Sequence, residues 1–158
     1  MAIWQFALHA VPNMPPADVT PMQLTEAEVE IAWESFPVDA ASLAARLSAF
    51  LPERKAWSEH LRAWGDEDSD DVQVWMQADT VQSIQFRVDV RCVSHAFLNG
   101  LCELASEFGW HLVDDAGVIV PSRPGRILKT ILRSPAQRFV ADPEHFLKQI
   151  AAENGEEG

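Results

Sequence analysis

The amino-acid sequence predicts an α+β fold, and three observations carry the prediction. Ile84, Phe86, Val88 and Val90 alternate with Ser83, Gln85, Arg87, Asp89 and Arg91, the pattern of a strand with one dry and one wet face. A second alternating run, Val72, Val74 and Met76 against Gln73, Trp75 and Gln77, precedes it by a turn's length. Directly afterwards the apolar spacing lengthens to about 3.6 in Phe97, Leu98, Leu101, Cys102, Ala105 and Phe108, a helical stripe.

Residues 2–10 read as a first strand, with Trp4, Phe6 and Leu8 in phase. The proline-rich stretch Val11 to Pro21 suits a surface loop, because proline lacks the donor that helices and central strands require. Thr25 and Glu28 make a capping box that opens a helix reaching about Ser35. Asp39 caps a second helix with Leu43, Leu47, Phe50 and Leu51 on its apolar side, and Pro52 closes or kinks it. The spacing of Trp57, Leu61 and Trp64 suggests a third helix, stopped by Gly65.

For the central hairpin, a two-residue turn at Asp79-Thr80 would mix polar and apolar faces. A three-residue loop, Ala78 to Thr80, sets Val74 opposite Ile84 and Val72 opposite Phe86. In that register Trp75 lies beside Ser83, Gln73 beside Gln85 and Asp71 beside Arg87. Ser94 then caps the helix ended by Gly109. Trp110 to Val113, a turn at Asp114 to Gly117, and Val118 to Val120 read as a further strand or small hairpin. An amphipathic helix is expected over 125–133, and Asp142-Pro143 opens a terminal helix through about Ala152. The element order is that of a ferredoxin-like βαββαβ layer with extra C-terminal helices.

A chain of 158 residues suits a single domain over 1–153, with 154–158 as a frayed acidic tail. Such a length buries roughly 68–70% of the unfolded surface, enough for a core without disulfides or metal. Cys92 and Cys102 both fall in apolar phase and read as small buried residues, consistent with a reducing, cytoplasmic setting. No basic leader opens the sequence, and no run nears the ~20 apolar residues of a membrane helix.

The formal net charge is −12, which disfavours a nucleic-acid partner. Its distribution is uneven: residues 116–141 hold five bases (Arg123, Arg126, Lys129, Arg133, Arg138) and no acid, inside an otherwise acidic chain. Docking of this segment on the protein's own acidic surface is the expected arrangement.

No nucleophile elbow, Walker loop or dinucleotide fingerprint occurs, so no catalytic residues and no cofactor are expected. The run Asp66, Glu67, Asp68, Ser69, Asp70, Asp71 would need Gly at 71 and Glu at 77 to fit a calcium loop. It suits a solvated turn, or an acidic docking loop for a basic partner. Cys92, His95 and Cys102 lack a fourth ligand by spacing, so no zinc site is expected. The functional candidate is the polar sheet face, where Trp75, Gln85, Arg87, Asp89 and Arg91 would gather with Gln73, Gln77, Gln5 and His9. Tryptophan beside arginine is the composition enriched at protein–protein hot spots.

The stretch Trp64-Gly65-Asp66 through Asp70-Asp71-Val72, then Arg87-Val88-Asp89-Val90-Arg91 and Arg138-Phe139-Val140, resembles small acidic bacterial proteins of uncharacterised function. Some of these are similar to immunity proteins of toxin systems. The resemblance implies stoichiometric neutralisation of a protein partner. The sequence therefore points first to a non-catalytic cytoplasmic binding protein that presents the sheet face or the Asp66 to Asp71 loop. An alternative is an enzyme or sensor gripping an anionic small molecule with Arg87 and Arg91. A third reading is a homodimer formed through the same face.

Overall fold

The alternation of residues 71–89 becomes a hairpin at the centre of one antiparallel sheet. The strands are β1 (Gln5–Pro12), β2 (Glu53–Arg54), β3 (Leu61–Gly65), β4 (Asp71–Gln77), β5 (Thr80–Asp89), β6 (Trp110–Val113) and β7 (Ile119–Val120). The helices are α1 (Glu26–Ser35), α2 (Ala40–Phe50), α3 (His95–Phe108), α4 (Pro124–Leu132) and α5 (Pro135–Ala141). This structure, a computed structural model, describes residues 2–12 and 24–142 together with 144 and 148. Most of the expected terminal helix and most of the proline-rich stretch lie outside the described residues. Val11 and Pro12 belong to β1, which begins at Gln5 instead of residue 2.

The strand order is β2-β3-β4-β5-β1-β6-β7, and every neighbouring pair is antiparallel. The fold is therefore α+β. Register places Phe6 opposite Val88, Leu8 opposite Phe86 and Val74 opposite Ile84, so these side chains share one face. They pack with Trp33, Leu43, Leu47, Leu98 and Leu101 of the helices in one continuous core. Full burial of each such aliphatic side chain is worth roughly 1.5–3 kcal/mol, so this layer supplies the main driving force. Gly100 admits the ring of Phe50: a Cβ there would come within 2.0 Å of it, and the ring instead stacks on Phe97 at 5.6 Å.

The helix caps follow the sequence. Thr25, Asp39 and Ser94 each accept a hydrogen bond from the backbone amide three residues on, and Gly109 ends α3 in the left-handed region. Among the described residues, no helix is long and apolar enough to cross a membrane.

Three local expectations are corrected. The hairpin register is the expected one from Asp71↔Arg87 to Trp75↔Ser83, but its turn is not. Gln77 pairs with Thr80 around a two-residue turn, Ala78-Asp79, and the register shifts between Trp75 and Met76. Gln82 is the extra residue of that bulge, which restores the phase a two-residue turn would otherwise break.

Trp57 to Trp64 do not form a helix. Leu61–Gly65 is a strand because it pairs along β4, burying Leu61 and Ala63 toward one face and Trp64 toward the other. Trp64 donates its indole N–H to the Ser48 hydroxyl of α2 at 3.0 Å. Gly65 does stop the element, at φ +91, where a Cβ would meet the Asp70 carbonyl at 2.5 Å.

Cys92 is exposed, because β5 ends at Asp89 and the chain turns before α3; Cys102 is buried. Helix α5 is an element beyond the expected ones, opened by Ser134-Pro135, a cap and N1 pair in which the Ser134 hydroxyl accepts from the Gln137 amide.

Candidate functional site

The sheet face opposite the main core carries Gln5, Ala7 and His9 of β1, Asp71, Gln73 and Trp75 of β4, and Ser83, Gln85, Arg87 and Asp89 of β5. One end of this face is closed by the acidic segment 66–70, which folds back across it. The Gln5 amide donates to the carbonyls of Glu67 (3.0 Å) and Ser69 (2.6 Å), and the Trp4 indole donates to the Asp68 carbonyl at 3.0 Å. Asp70 accepts the Asp89 backbone amide at 2.7 Å. The carbonyls that would otherwise lie idle in a loop thus satisfy polar groups of the sheet.

Beneath that segment, Asp71 is wholly buried and takes two arginines. Arg87 Nε donates to Oδ1 at 2.6 Å and its Nη2 donates to Oδ2; Arg54 Nη2 donates to Oδ2 at 2.5 Å. Hydrogen bonding to Asp71 pushes the Arg87 pKa up against the opposing effect of burial. Asp89 is also buried. Burial alone would raise its carboxyl, but hydrogen bonds and charge from Arg91 prevail and hold it below the usual range. Arg91 stands over the Trp4 ring at 4.3 Å and donates to the Asp68 carbonyl at 2.8 Å.

The sequence candidates therefore separate. Arg87, Asp89 and Asp71 are structural: they face each other and the folded-back loop, not solvent. Arg91 is exposed but committed to Asp89, Asp68 and Trp4, and it lies in the turn after β5, not in the strand. Asp66 and Asp68 are exposed at the loop tip, whereas Asp70 is half-buried and turned inward. The grip on an anionic ligand by Arg87 and Arg91 is not available, since carboxylates occupy both guanidinium forks. Gln85 is half-buried, opposite Gln73 and His9.

Trp75 is different. It is half-buried, and its ring meets Trp57 edge-on at 5.4 Å, with Trp57 67% exposed. Helix α4 packs instead on α3 and β7, and α5 packs on α4. The helical spacing of Trp57, Leu61 and Trp64 hides Trp57 as a surface aromatic; the signal lies in Trp57-Ser58, where a large aromatic adjoins polar residues before a strand.

Trp75 also borders a concavity of about 990 Å³ between the β4–β5 turn and α1. Glu26, Glu30 and Glu34 of α1, spaced one turn apart, form its far wall with Asp114 and Asp115, and no lysine or arginine lines it. A second cavity, about 850 Å³, lies against α4 and is lined by Arg126, Lys129 and Arg133. Neither cavity is lined by Arg87 or Arg91.

Helix α4 of the basic segment packs on the body through its apolar side, not through its charges. Among the described residues none of Arg123, Arg126, Lys129, Arg133 and Arg138 forms an ion pair, while Arg46, Arg54, Arg62, Arg87 and Arg91 all do. Helix α4 turns Ile127 and Ile131 inward, which obliges its charged residues to face outward.

No family model matches this chain, and neither a curated protein nor a solved structure resembles it significantly.

Proposed function

We propose that this chain is a non-catalytic, immunity-like binding module that neutralises a basic protein partner by stoichiometric association through the Trp57–Trp75 side of its sheet. The observation that carries the reading is the edge-to-face tryptophan pair, exposed at Trp57 and half-buried at Trp75, beside a wall of carboxylates. Tryptophan anchors supply large contact area for little conformational entropy. The carboxylates of Glu26, Glu30 and Glu34 would steer a lysine- or arginine-bearing surface toward them. The acidic docking element in this reading is α1 together with the loop tip at Asp66 and Asp68. The order β4-β5-β1-β6, with α1, α2 and α3 in the crossovers, supports reading the inner strands as a ferredoxin-like unit extended by β2–β3 and β7.

Affinity capture from a lysate of the source organism tests the proposal, with wild type beside a Trp57→Ala, Trp75→Ala variant verified as folded by circular dichroism. A near-stoichiometric basic protein held by wild type and lost by the variant is the expected result. Equal capture by both baits would overturn the assignment of the face.

A further inference from the structure

The five bases of residues 116–141, which form no ion pair among the described residues, pose a separate question from the tryptophan face. Three of them, Arg126, Lys129 and Arg133, follow one another at three and four residues and all line the cavity of about 850 Å³. That volume is within the range of small-molecule sites, roughly 300–1,000 Å³. We propose that this cavity is a binding site for a small organic diphosphate, an anionic head of two linked phosphoryl groups on an apolar body.

Four features argue for that ligand. The cations have no carboxylate partner among the described residues, so their full charge is available to an incoming anion. From Arg126 to Arg133 the helix advances about 10 Å, which strings three cations along one side of the cavity, more than one phosphate needs and suited to two linked ones. Arginine forks engage phosphate oxygens bidentately, while lysine acts as a point charge between them. Opposite the cations, Ile119, Val120 and Pro121 offer an apolar wall to the rest of the molecule.

The acids that share the cavity are already engaged. Asp114 accepts the amides of Ala116 and Val118, and Asp115 meets His9 at 2.9 Å. Arg126 stands in the first turn of α4, where the helix dipole disfavours a cation. A bound anion would relieve that conflict. A concave, half-apolar seat favours a small ligand over an extended polyanion, and the −12 net charge opposes a nucleic acid.

Isothermal titration calorimetry with inorganic pyrophosphate and inorganic phosphate at low salt tests the site. The proteins compared are wild type, an Arg126→Gln, Lys129→Gln, Arg133→Gln variant, and a control of equal charge change, Lys55→Gln, Arg123→Gln, Arg138→Gln. The expected result is saturable single-site binding of pyrophosphate, tighter than phosphate by about tenfold or more. Binding should be lost in the cavity variant and stay near wild type in the control. Absence of saturable pyrophosphate binding, or equal loss in both variants, would overturn the proposal. Binding of a polyglutamate peptide without pyrophosphate binding would also overturn it, in favour of an acidic polypeptide.

Discussion

Asp71 and Arg87 face each other directly across β4 and β5, with Asp71 fully buried and Arg87 only 5% exposed. The carboxylate accepts from both ends of the guanidinium fork and takes a third donor from Arg54. Two cations around one anion is an unusual charge balance for an interior. It is made tolerable by the carbonyl of Glu67, 3.4 Å from Arg87 Nη2, and by the neighbouring carboxylates of the folded-back loop. The pair thus fastens the loop over the sheet as well as the two strands to each other.

Replacing Asp71 with Asn should therefore be severe. It leaves two arginines in the interior without their anion, and breaking a buried pair in this way costs roughly 3–5 kcal/mol. Urea denaturation measures it; a loss below about 1 kcal/mol would show that water or other groups compensate.

Asp70 and Asp89 should respond to acid in opposite ways. Asp89 is held below the usual carboxylate range, so its contribution is present above the unfolded value of about 3.9 and is lost as pH falls through the folded value. Asp70 is raised, by burial first and then by repulsion from Asp89 and Asp71, so its charge weakens the fold above its folded value and ceases to do so below about 3.9. Asp89→Asn should lower stability at neutral pH, with the deficit shrinking in acid. Asp70→Asn, which can still accept the Asp89 amide, should match or exceed wild type at neutral pH and lose that advantage in acid. Denaturant midpoints at neutral and acidic pH decide the matter, and the two variants moving in the same direction would refute the charge assignment.

Ala78 holds φ +54 in the Ala78-Asp79 turn, a left-handed conformation that costs an L-residue roughly 1–2 kcal/mol. Ala78→Gly should remove that strain and, after the added chain entropy, gain about 0.5–1 kcal/mol. An unchanged or lower melting temperature would mean that the turn is not strained.

The two cysteines should differ sharply toward a thiol reagent. Cys92 is exposed, whereas burial pushes the Cys102 thiol up to about 11. Mass spectrometry of the native protein after brief alkylation should show one adduct, at Cys92, with Cys102 labelled only on unfolding. Rapid double labelling would place Cys102 in a more open environment than the fold gives it.

How far the sequence discloses the molecule varies with the kind of signal. The pairing of Asp71 with Arg87 and of Val72 with Phe86 was legible because strand alternation admits one register that keeps a face dry. The caps at Thr25, Asp39 and Ser94 were legible because capping is chemistry local to four residues. β3 was not. Its spacing of aromatic and leucine residues satisfies a helical template, and only its pairing with β4, fixed in three dimensions, makes it a strand. The candidate face was legible in composition but not in accessibility, since nothing in the periodicity of 66–71 says that its backbone carbonyls turn onto Gln5, Trp4 and Arg91. That no described carboxylate pairs with the bases of 116–141 depends on the same kind of long-range placement.

The sheet also ends abruptly on both sides. β2 and β7 are two residues each, and β2 is Glu53–Arg54, with Glu53 bound to Arg62 and Arg54 to Asp71. Margins so short, and charged at β2, give another chain little ladder to extend, which is how natural sheets escape runaway strand-to-strand growth into fibres. The seven described strands can therefore sit beside an exposed Trp57 without offering long free edges for a further strand to join.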